Sequence, residues 1–423
     1  MYGYNIGKMK KYSITIFLLI NLALNAQKFH TQIFHSNIKT LQIQILTSKF
    51  SLPIIELNGT DILQFSFDEM SHGAHSYSYK ILHCNADWTE SGLNSQEYLG
   101  GFTSAAITDL AQSVNTTYLY THYQFQLPNN DFSFKISGNY VVQIYEDNRP
   151  ENPIAQACFS VVEPHVSVSG SVRGNTDIEL NERLQQLDFE ILLNGYVVRD
   201  VNSELKVLVR QNNRTDNQLE NLQPTYFTGS KLNYINQKEL IFEGGYEYHR
   251  FDISSIYAAG EGVANVQYDA PYYNVYLNDD KIKKTHIYSS EMDVNGKFVI
   301  HLQNATLDEN VSADYMLVHF SLPTKNPFFD GQLFLGTEFN YNLLNDAVKL
   351  NYDGKTESYK QTVLLKQGGY NYQYWFLQKG LQKANVERVD GSFWQTSNEY
   401  SIYVYHRAWG ERYDKLIGTK IIQ

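Results

Sequence analysis

The sequence is poor in cysteine, proline and charge. It contains only 2 Cys and 9 Pro among 423 residues, 19% of its residues are charged, and it has no low-complexity tract. Because 43% of the residues are hydrophobic, the chain can bury a large core, and disorder is excluded beyond the ends. A chain of this length accommodates about two to four domains.

Long apolar runs are confined to the beginning of the chain. Met9–Gln27 combines two lysines with the apolar segment Ile14–Leu24 and the small residue Ala26. This order predicts a secretory signal peptide over residues 1–26, with Met9 as the expected start. The apolar segment is too short to span a bilayer, and no later run is long enough for a membrane helix. The alternative for this segment is an amphipathic or membrane anchor.

Positive charge is scarce as well. The formal net charge is −11, and it becomes −14 without the signal peptide, because Lys8, Lys10 and Lys11 are the only charged residues in 1–26. An acidic exported protein is poorly suited to bind nucleic acid or anionic lipid. We therefore expect no nucleic acid partner and no direct membrane span.

Aromatic residues in alternating patterns dominate the chain instead. The 33 Tyr and 23 Phe are typical of a strand-rich protein. Short strand-like segments follow one another about every dozen residues, without crossover helices between them. The expected fold is therefore all-β, with about three tandem β-sandwich domains and few short helices. The expected domains are residues 27–163, 164–306 and 307–423.

Individual strands can be predicted in each block. In the first block they cover 38–46, 62–69, 75–82, 120–127, 137–147 and 154–162. In the second they cover 189–196, 204–213, 248–254 and 272–280, with a hairpin at 293–302 through an Asn-Gly turn. In the third they cover 314–322, 331–340, 348–354, 359–377 and 400–408. The polar stretch 211–231 is predicted to be a long loop.

One short segment has the composition of a catalytic centre. Residues 83–88 read HCNADW, so that His83, Cys84, Asn85 and Asp87 supply the side chains of a cysteine-nucleophile site. Successive strand residues point to opposite faces, so an imidazole and a thiol at these positions diverge. We predict no catalytic residues, and we interpret the segment as a turn covered by Trp88. An exported cysteine hydrolase using Cys84 is the competing hypothesis.

The two cysteines, Cys84 and Cys158, allow one disulfide, which is the usual state in an oxidising compartment. If their strands flank the strand at 138–147, the backbones lie about 9–10 Å apart, beyond bridging reach. We therefore predict two reduced, buried thiols. His72 and His75 are not accompanied by further ligands in a metal-binding spacing, so no metal site is predicted. No cofactor is predicted either.

The third block resembles the β-sandwich of glycan-binding modules attached to starch-active enzymes. Those modules carry a Gly–Phe–Asn turn and a Gly-x-Tyr-x-Tyr strand, and the matching positions here are Gly336, Phe339, Asn340, Gly369, Tyr370 and Tyr372. The sugar-stacking Trp expected after Asn340 is replaced by Tyr341. The resemblance implies an E-set-like sandwich. It also suggests an alternative function, an exported carbohydrate-binding protein with exposed Tyr341, Tyr372 and Trp375.

The first block resembles the small immunoglobulin-like domain of certain sensor proteins. In that domain an Asp-Trp pair closes one strand and a Gly-x-Tyr pattern opens another. Asp87-Trp88 and Gly138-Asn139-Tyr140 match these two patterns. The resemblance implies a structural motif composed of His83, Cys84, Asn85, Asp87, Trp88, Gly138 and Tyr140.

Residues 79–148, supported by 244–253, 313–322 and 399–418, resemble the plug protein family of the type IX secretion system. The resemblance implies a non-enzymatic periplasmic protein at the periplasmic face of the outer membrane. Its implied partner is the large outer-membrane β-barrel translocon, whose pore it seals when no cargo is being exported. The resemblance transfers no catalytic residues, and the sequence does not identify the partner interface.

Overall fold

The computed structural model describes residues 28–147, 149–283, 287–303 and 306–423. The predicted signal peptide lies outside these residues. The described residues form 29 strands and three four-residue helices, which are α1 (Ser95–Tyr98), α2 (Val201–Glu204) and α3 (Glu309–Ser312). The prediction of an all-β chain with few short helices is confirmed.

The first twelve strands build the first sandwich. They are β1 (Gln32–Ile33), β2 (Ile38–Ile45), β3 (Ile54–Glu56), β4 (Leu63–Glu69), β5 (Tyr77–Cys84), β6 (Leu99–Gly101), β7 (Ser104–Ala106), β8 (Asp109–Gln112), β9 (Thr121–Leu127), β10 (Phe132–Phe134), β11 (Gly138–Glu146) and β12 (Pro153–Val162). One sheet has the order β1-β12-β11-β5-β7, with β3 beside β12, and the facing sheet has the order β2-β4-β9-β8. Alternate side chains of both sheets, including Phe65, Tyr123 and Phe159, fill the core between them.

The next six strands begin the second sandwich. They are β13 (Ser167–Arg173), β14 (Leu184–Leu192), β15 (Leu205–Gln211), β16 (Tyr226–Thr228), β17 (Lys231–Tyr234) and β18 (Ile241–Glu243). Four of them form a sheet of order β13-β14-β17-β16, and β18 pairs with β14. β15 does not belong to this sheet and faces it across a core that contains Phe189 and Val207.

Nine strands form the third sandwich. They are β19 (His249–Asp252), β20 (Val263–Asp269), β21 (Tyr272–Leu277), β22 (Phe298–Ile300), β23 (Tyr315–Pro323), β24 (Gly331–Gly336), β25 (Lys349–Asp353), β26 (Ser358–Lys366) and β27 (Gly368–Gln378). They make one hydrogen-bonded series, β19-β27-β24-β25-β26-β23-β21-β20, with β22 beside β27. Phe251 of β19 nevertheless meets Phe320 of β23 edge-on at 5.6 Å. The series therefore folds back on itself to enclose a core.

The last two strands return to the second sandwich. β28 (Tyr400–His406) pairs along its whole length with β15, and β29 (Lys415–Ile422) pairs with β28. Ile402 and Val404 of β28 are buried in the same core as Val207 of β15. This pairing crosses the domain boundary predicted between residues 306 and 307. We propose instead that the second sandwich is discontinuous and that the third is inserted between β18 and β28.

Three local predictions are wrong in part. No hairpin forms at 293–302, because β22 follows the turn at Asn295 and pairs with β27. The strand predicted over 359–377 is divided into β26 and β27, which pair with β23 and β24 respectively. The loop predicted over 211–231 contains β16 and buries Arg214 and Asn217.

Candidate functional site

His83 is a buried neutral histidine at the end of β5. Its Nε2–H donates to the Ser137 carbonyl at 3.2 Å, and its ring packs edge-on against Tyr140 and Tyr413. Burial lowers the pKa of His83 to about 4. Its Nδ1 is buried and meets no hydrogen-bond partner within the described part of the chain. Such a ring fills space and is neutral near pH 7.

Cys84 follows His83 directly but contacts a different set of side chains. It is buried in an apolar cluster with Phe29 and Val141. Burial raises the pKa of the Cys84 thiol well above its usual range, and raises that of Cys158 to about 12. Both thiols are free. A cysteine nucleophile needs thiolate character and an oriented base, and this geometry provides neither at residues 83 and 84.

The strand order accounts for the separation of the two thiols. β5 and β12 pair with opposite sides of β11, so that Cys84 lies across from Asn139 and Cys158 across from Val141. Two strand spacings separate the backbones, which exceeds the span of a disulfide. The prediction of two buried residues is confirmed for Cys84 but is wrong for Cys158, which is partly exposed.

The residues after Cys84 form a tight turn that holds the N-terminal segment. Asp87 accepts hydrogen bonds from the Thr89 backbone N–H at 3.1 Å and from the Thr89 hydroxyl at 2.6 Å. Trp88 has a positive φ of 64°, and its carbonyl accepts from the Phe29 N–H at 2.9 Å. Its side chain packs beside Cys84. The short polar side chains after the strand thus replace ladder hydrogen bonds with turn hydrogen bonds.

A carboxylate from the end of the chain binds this turn. Asp414 is fully buried and accepts from the Ala86 N–H at 2.9 Å, from Lys206 Nζ at 3.0 Å and from Arg407 Nε at 2.8 Å. Arg407 also donates to Asn85 Oδ1 at 2.5 Å. These bonds join the first sandwich to the second. The sequence does not reveal Asp414 or Arg407 as partners of the turn, because Ala86 and Asn85 lie more than 300 positions away from them.

Gly138 and Tyr140 form a corner at the start of β11. Gly138 has a φ of +138°, and a Cβ at this position would lie 2.4 Å from His83 Nε2. The Tyr140 hydroxyl donates to the Ile136 carbonyl at 2.7 Å, four residues upstream. The same arrangement recurs in the third sandwich, where the Tyr370 hydroxyl donates to the Lys366 carbonyl. Such tyrosine corners fix the strand that follows in immunoglobulin-like sandwiches.

The first and third sandwiches share a buried ionic network. Lys366 Nζ lies 2.6 Å from Asp68 Oδ2, and both side chains are about 1% exposed. The Tyr315 hydroxyl donates to the same Asp68 oxygen at 2.7 Å, and His122 Nδ1 lies 2.6 Å from the other. The Lys366 ammonium also lies 4.4 Å from the centre of the Tyr120 ring. A buried pair tolerates little relative motion of the two sandwiches, because separation would leave either charge unpaired.

The three aromatic residues expected to be exposed for sugar binding pack inside the protein or between its sandwiches. Tyr341 packs against the core of the first sandwich, and its hydroxyl donates to the Leu41 carbonyl at 3.2 Å. Tyr372 and Trp375 are buried. The Arg214 guanidinium lies 4.1 Å from the centre of the Trp375 ring, between the second and third sandwiches. The platform that the carbohydrate-binding alternative requires is therefore absent at these three positions.

One solved structure is similar to nearly the whole chain. A crystal structure of a hypothetical protein from Parabacteroides merdae ATCC 43184 is 41% identical, with a TM-score of 0.91 over 93% of this chain and 99% of that one. Residues 38–163 match the family described as type 9 secretion system plug protein, 1st domain. The chain belongs to the type IX secretion system plug protein family.

Pseudomonas fluorescens alkylpurine DNA glycosylase AlkC bound to DNA containing an abasic site analog aligns at a TM-score of 0.17 and 11% identity, over 30% of each chain. No curated protein matches the chain. The matched plug domain coincides with the first sandwich, which carries the turn and the tyrosine corner described above.

The plug-family chain has a cavity of about 210 Å³ where its three sandwiches meet. Leu52, Tyr403 and Glu338 contribute to its walls, one from each sandwich. Burial raises the pKa of Glu338 to about 7. Lys297, also in the wall, is 2.8 Å from the Glu399 carboxylate. The cavity is thus a seam between the sandwiches, and Lys297 in its wall is already paired with a carboxylate.

The described residues lack two features that would indicate other kinds of site. No group of three or more His, Cys, Asp or Glu side chains among them has a metal-binding arrangement. None of their helices has the length and apolar character needed to cross a membrane.

Proposed function

We propose that this chain is a non-enzymatic, periplasmic plug of the type IX secretion system. It binds the periplasmic mouth of the large outer-membrane β-barrel translocon and seals the pore when no cargo is being exported. The observation that carries this proposal is the match of residues 38–163 to the plug family. The signal peptide predicted over residues 1–26 is consistent with delivery to the periplasm.

The motif residues support a mechanical role under this proposal. His83, Cys84, Asn85, Asp87, Trp88, Gly138 and Tyr140 act as structural residues that hold the first sandwich and its connection to the second. Asp414 links that turn to Lys206 and Arg407, and Lys366 links the first sandwich to the third. A body connected by buried polar contacts at both junctions resists deformation when it closes an opening.

A plug must also leave the pore, which limits the kind of contact it makes. Reversible protein interfaces of standard size are no more apolar than the rest of the surface. The net charge of −14 expected for the mature chain keeps the released protein soluble.

Reconstitution with the purified translocon tests the proposal. A translocon prepared from a plug-deletion strain should bind the purified full-length chain, and bilayers containing that translocon should lose conductance when the chain is added from the periplasmic side. An unrelated exported β-sandwich protein of similar size and charge serves as the control. Absence of binding, together with a deletion strain whose outer membrane still excludes vancomycin, would contradict the proposal.

A further inference from the structure

The last strand of the series in the third sandwich, β20, has an open edge. It pairs with β21 on one side only. Ala264, Asn265, Gln267 and Asp269 are exposed, and Tyr268 is 53% exposed. No backbone group of 264–269 bonds to the described part of the chain on its outer side. Every second N–H and C=O of this strand is therefore available to a further strand.

Natural edge strands are normally shortened, charged with lysine, interrupted by proline or covered. β20 is seven residues long, reads VANVQYD and contains no Lys, Arg or Pro. A bulge between Val263 and Asn265 protects only its beginning. Edge strand β13 has the same length, but it ends in Arg173 and packs against β29 near Gly170. Edge strand β2 is contacted by Tyr341. Compared with these two edge strands, β20 is as long or nearly as long but is neither covered nor protected by a basic residue.

We propose that β20 is a docking strand, to which an extended, cation-bearing segment of the translocon adds as a further strand of the sheet. The inference rests on the proposed function and names the element through which the plug binds. Strand addition supplies affinity through main-chain hydrogen bonds and specificity through alternate side chains. The Tyr268 ring lies 5.0 Å from the Tyr273 ring and offers the incoming strand a cross-strand aromatic partner.

The charges at the two ends of β20 favour a basic partner over a second copy of the chain. Asp269 is exposed at one end, and Asp279, which follows β21, is exposed at the other. Glu261 also lies at that end, where Arg250 pairs with it at 2.7 Å. Antiparallel pairing of two β20 strands would bring Asp269 of each copy toward the acidic end of the other, and opposed like charges destabilise a strand pair. A segment with Lys or Arg at its ends avoids this repulsion.

Binding of the purified translocon to variants of the full-length chain tests the proposal. Gln267→Lys places a positive charge on the exposed edge, where it would repel a basic partner. We expect this variant to bind at least tenfold more weakly. The matched control is Gln112→Lys, the same change at an exposed position of edge strand β8, which should bind like the wild type. Both variants should melt at the wild-type temperature.

A backbone variant separates strand addition from a charge effect. Successive N–H groups of a strand point to opposite sides, so one of Gln267→Pro and Tyr268→Pro removes only an outward N–H. That variant should keep its melting temperature and lose binding at least tenfold. Amide hydrogen exchange over 264–268 should also slow when the translocon binds the wild-type chain.

The outcomes distinguish the two proposals. Wild-type affinity in Gln267→Lys, with unchanged exchange over 264–268, overturns docking through β20 and leaves the plug function intact. Failure of the wild-type chain to bind overturns both. Self-association that Gln267→Lys abolishes would assign the edge to a second copy and would equally overturn the proposal.

Discussion

Gly138, at the start of β11, lies so close to the His83 ring that a larger residue does not fit there. The glycine has a φ of +138°, and a Cβ would meet the imidazole at 2.4 Å. Gly138→Ala should therefore lower the free energy of unfolding by about 2–4 kcal/mol, through backbone strain and overpacking. Urea denaturation measures the loss. Gly354→Ala, where a Cβ meets nothing within 4 Å, should change it by less than about 0.5 kcal/mol. Equal effects of the two changes would contradict this account.

His249 should make stability depend on pH in the alkaline range. It lies between Asp390, at 2.9 Å, and Asp280, at 3.1 Å. Burial alone would lower the pKa of His249, but the two carboxylates raise it to about 10. Because the pKa of His249 is higher in the folded state, its contribution to the stability of the fold is complete below the unfolded value of 6.5. That contribution is lost as the pH rises toward 10. The wild type should therefore lose stability relative to His249→Gln between pH 6.5 and 10, measured by urea denaturation.

The opposite dependence is expected of His83, which serves as the internal comparison. Its pKa is lowered by burial to about 4, so its contribution is complete above pH 6.5 and disappears as the pH falls toward 4. The difference between wild type and His83→Gln should shrink in that acidic range only. Stability differences that stay constant with pH in both variants would show that neither histidine titrates as described.

At the level of elements, local patterns predict strands well where one face of the strand is buried. β2, β4, β9 and β12 lie within two residues of their predicted ends, because alternating apolar residues reflect the two faces of a sheet. The alternating pattern does not show where one strand ends and the next begins, as between β26 and β27, which pair with different strands. It also fails for Arg214, which sequence analysis assigned to a polar loop although it stacks on Trp375. A residue's partner on another sandwich leaves no trace in the local pattern.

The two tyrosine corners should make equal contributions to their strands. Tyr140 and Tyr370 each donate a hydroxyl hydrogen bond to a carbonyl four residues upstream. Tyr140→Phe and Tyr370→Phe should each lower the free energy of unfolding by about 1–2 kcal/mol, since each carbonyl loses its hydroxyl donor. Chemical denaturation gives these values. Tyr276→Phe, at a position 42% exposed, should have almost no effect, and a comparable loss there would argue against a special role for the corners.

At the scale of the whole molecule, removing one partner of the Lys366–Asp68 pair should destabilise the protein more than removing both. Lys366→Met leaves the Asp68 carboxylate buried and should cost about 3–5 kcal/mol in the free energy of unfolding. Adding Asp68→Asn to that variant should recover part of the loss, because the stranded charge is removed. Both values come from urea denaturation followed by tyrosine fluorescence and circular dichroism.

An exposed pair of the same type provides the comparison. Lys360 lies 3.3 Å from Asp353, with both side chains more than a third exposed. Lys360→Met should change stability by less than about 1 kcal/mol. A similar loss in Lys360→Met and Lys366→Met would refute the importance assigned to the junction between the first and third sandwiches.

The candidate site could be predicted only in part, for a reason that concerns the whole chain. The turn at Asn85–Thr89 and the strand order around β11 follow from nearby residues. Asp414 could not be found, because it reaches the turn from the end of the chain. The pairing of Leu205 with His406 could not be predicted for the same reason, since the two strands are about 200 positions apart in the sequence.

The core of the second sandwich is completed only by the last two strands of the chain, and this order affects how the protein folds. A chain synthesised from its N-terminus presents β13–β18 before β28 and β29 are made to complete their core. Until then β15 remains without the partner that covers it, and surveillance proteases can attack it. A prematurely terminated product can never conceal that strand. The second core therefore depends on synthesis of the final segment, because β28 and β29 supply part of it.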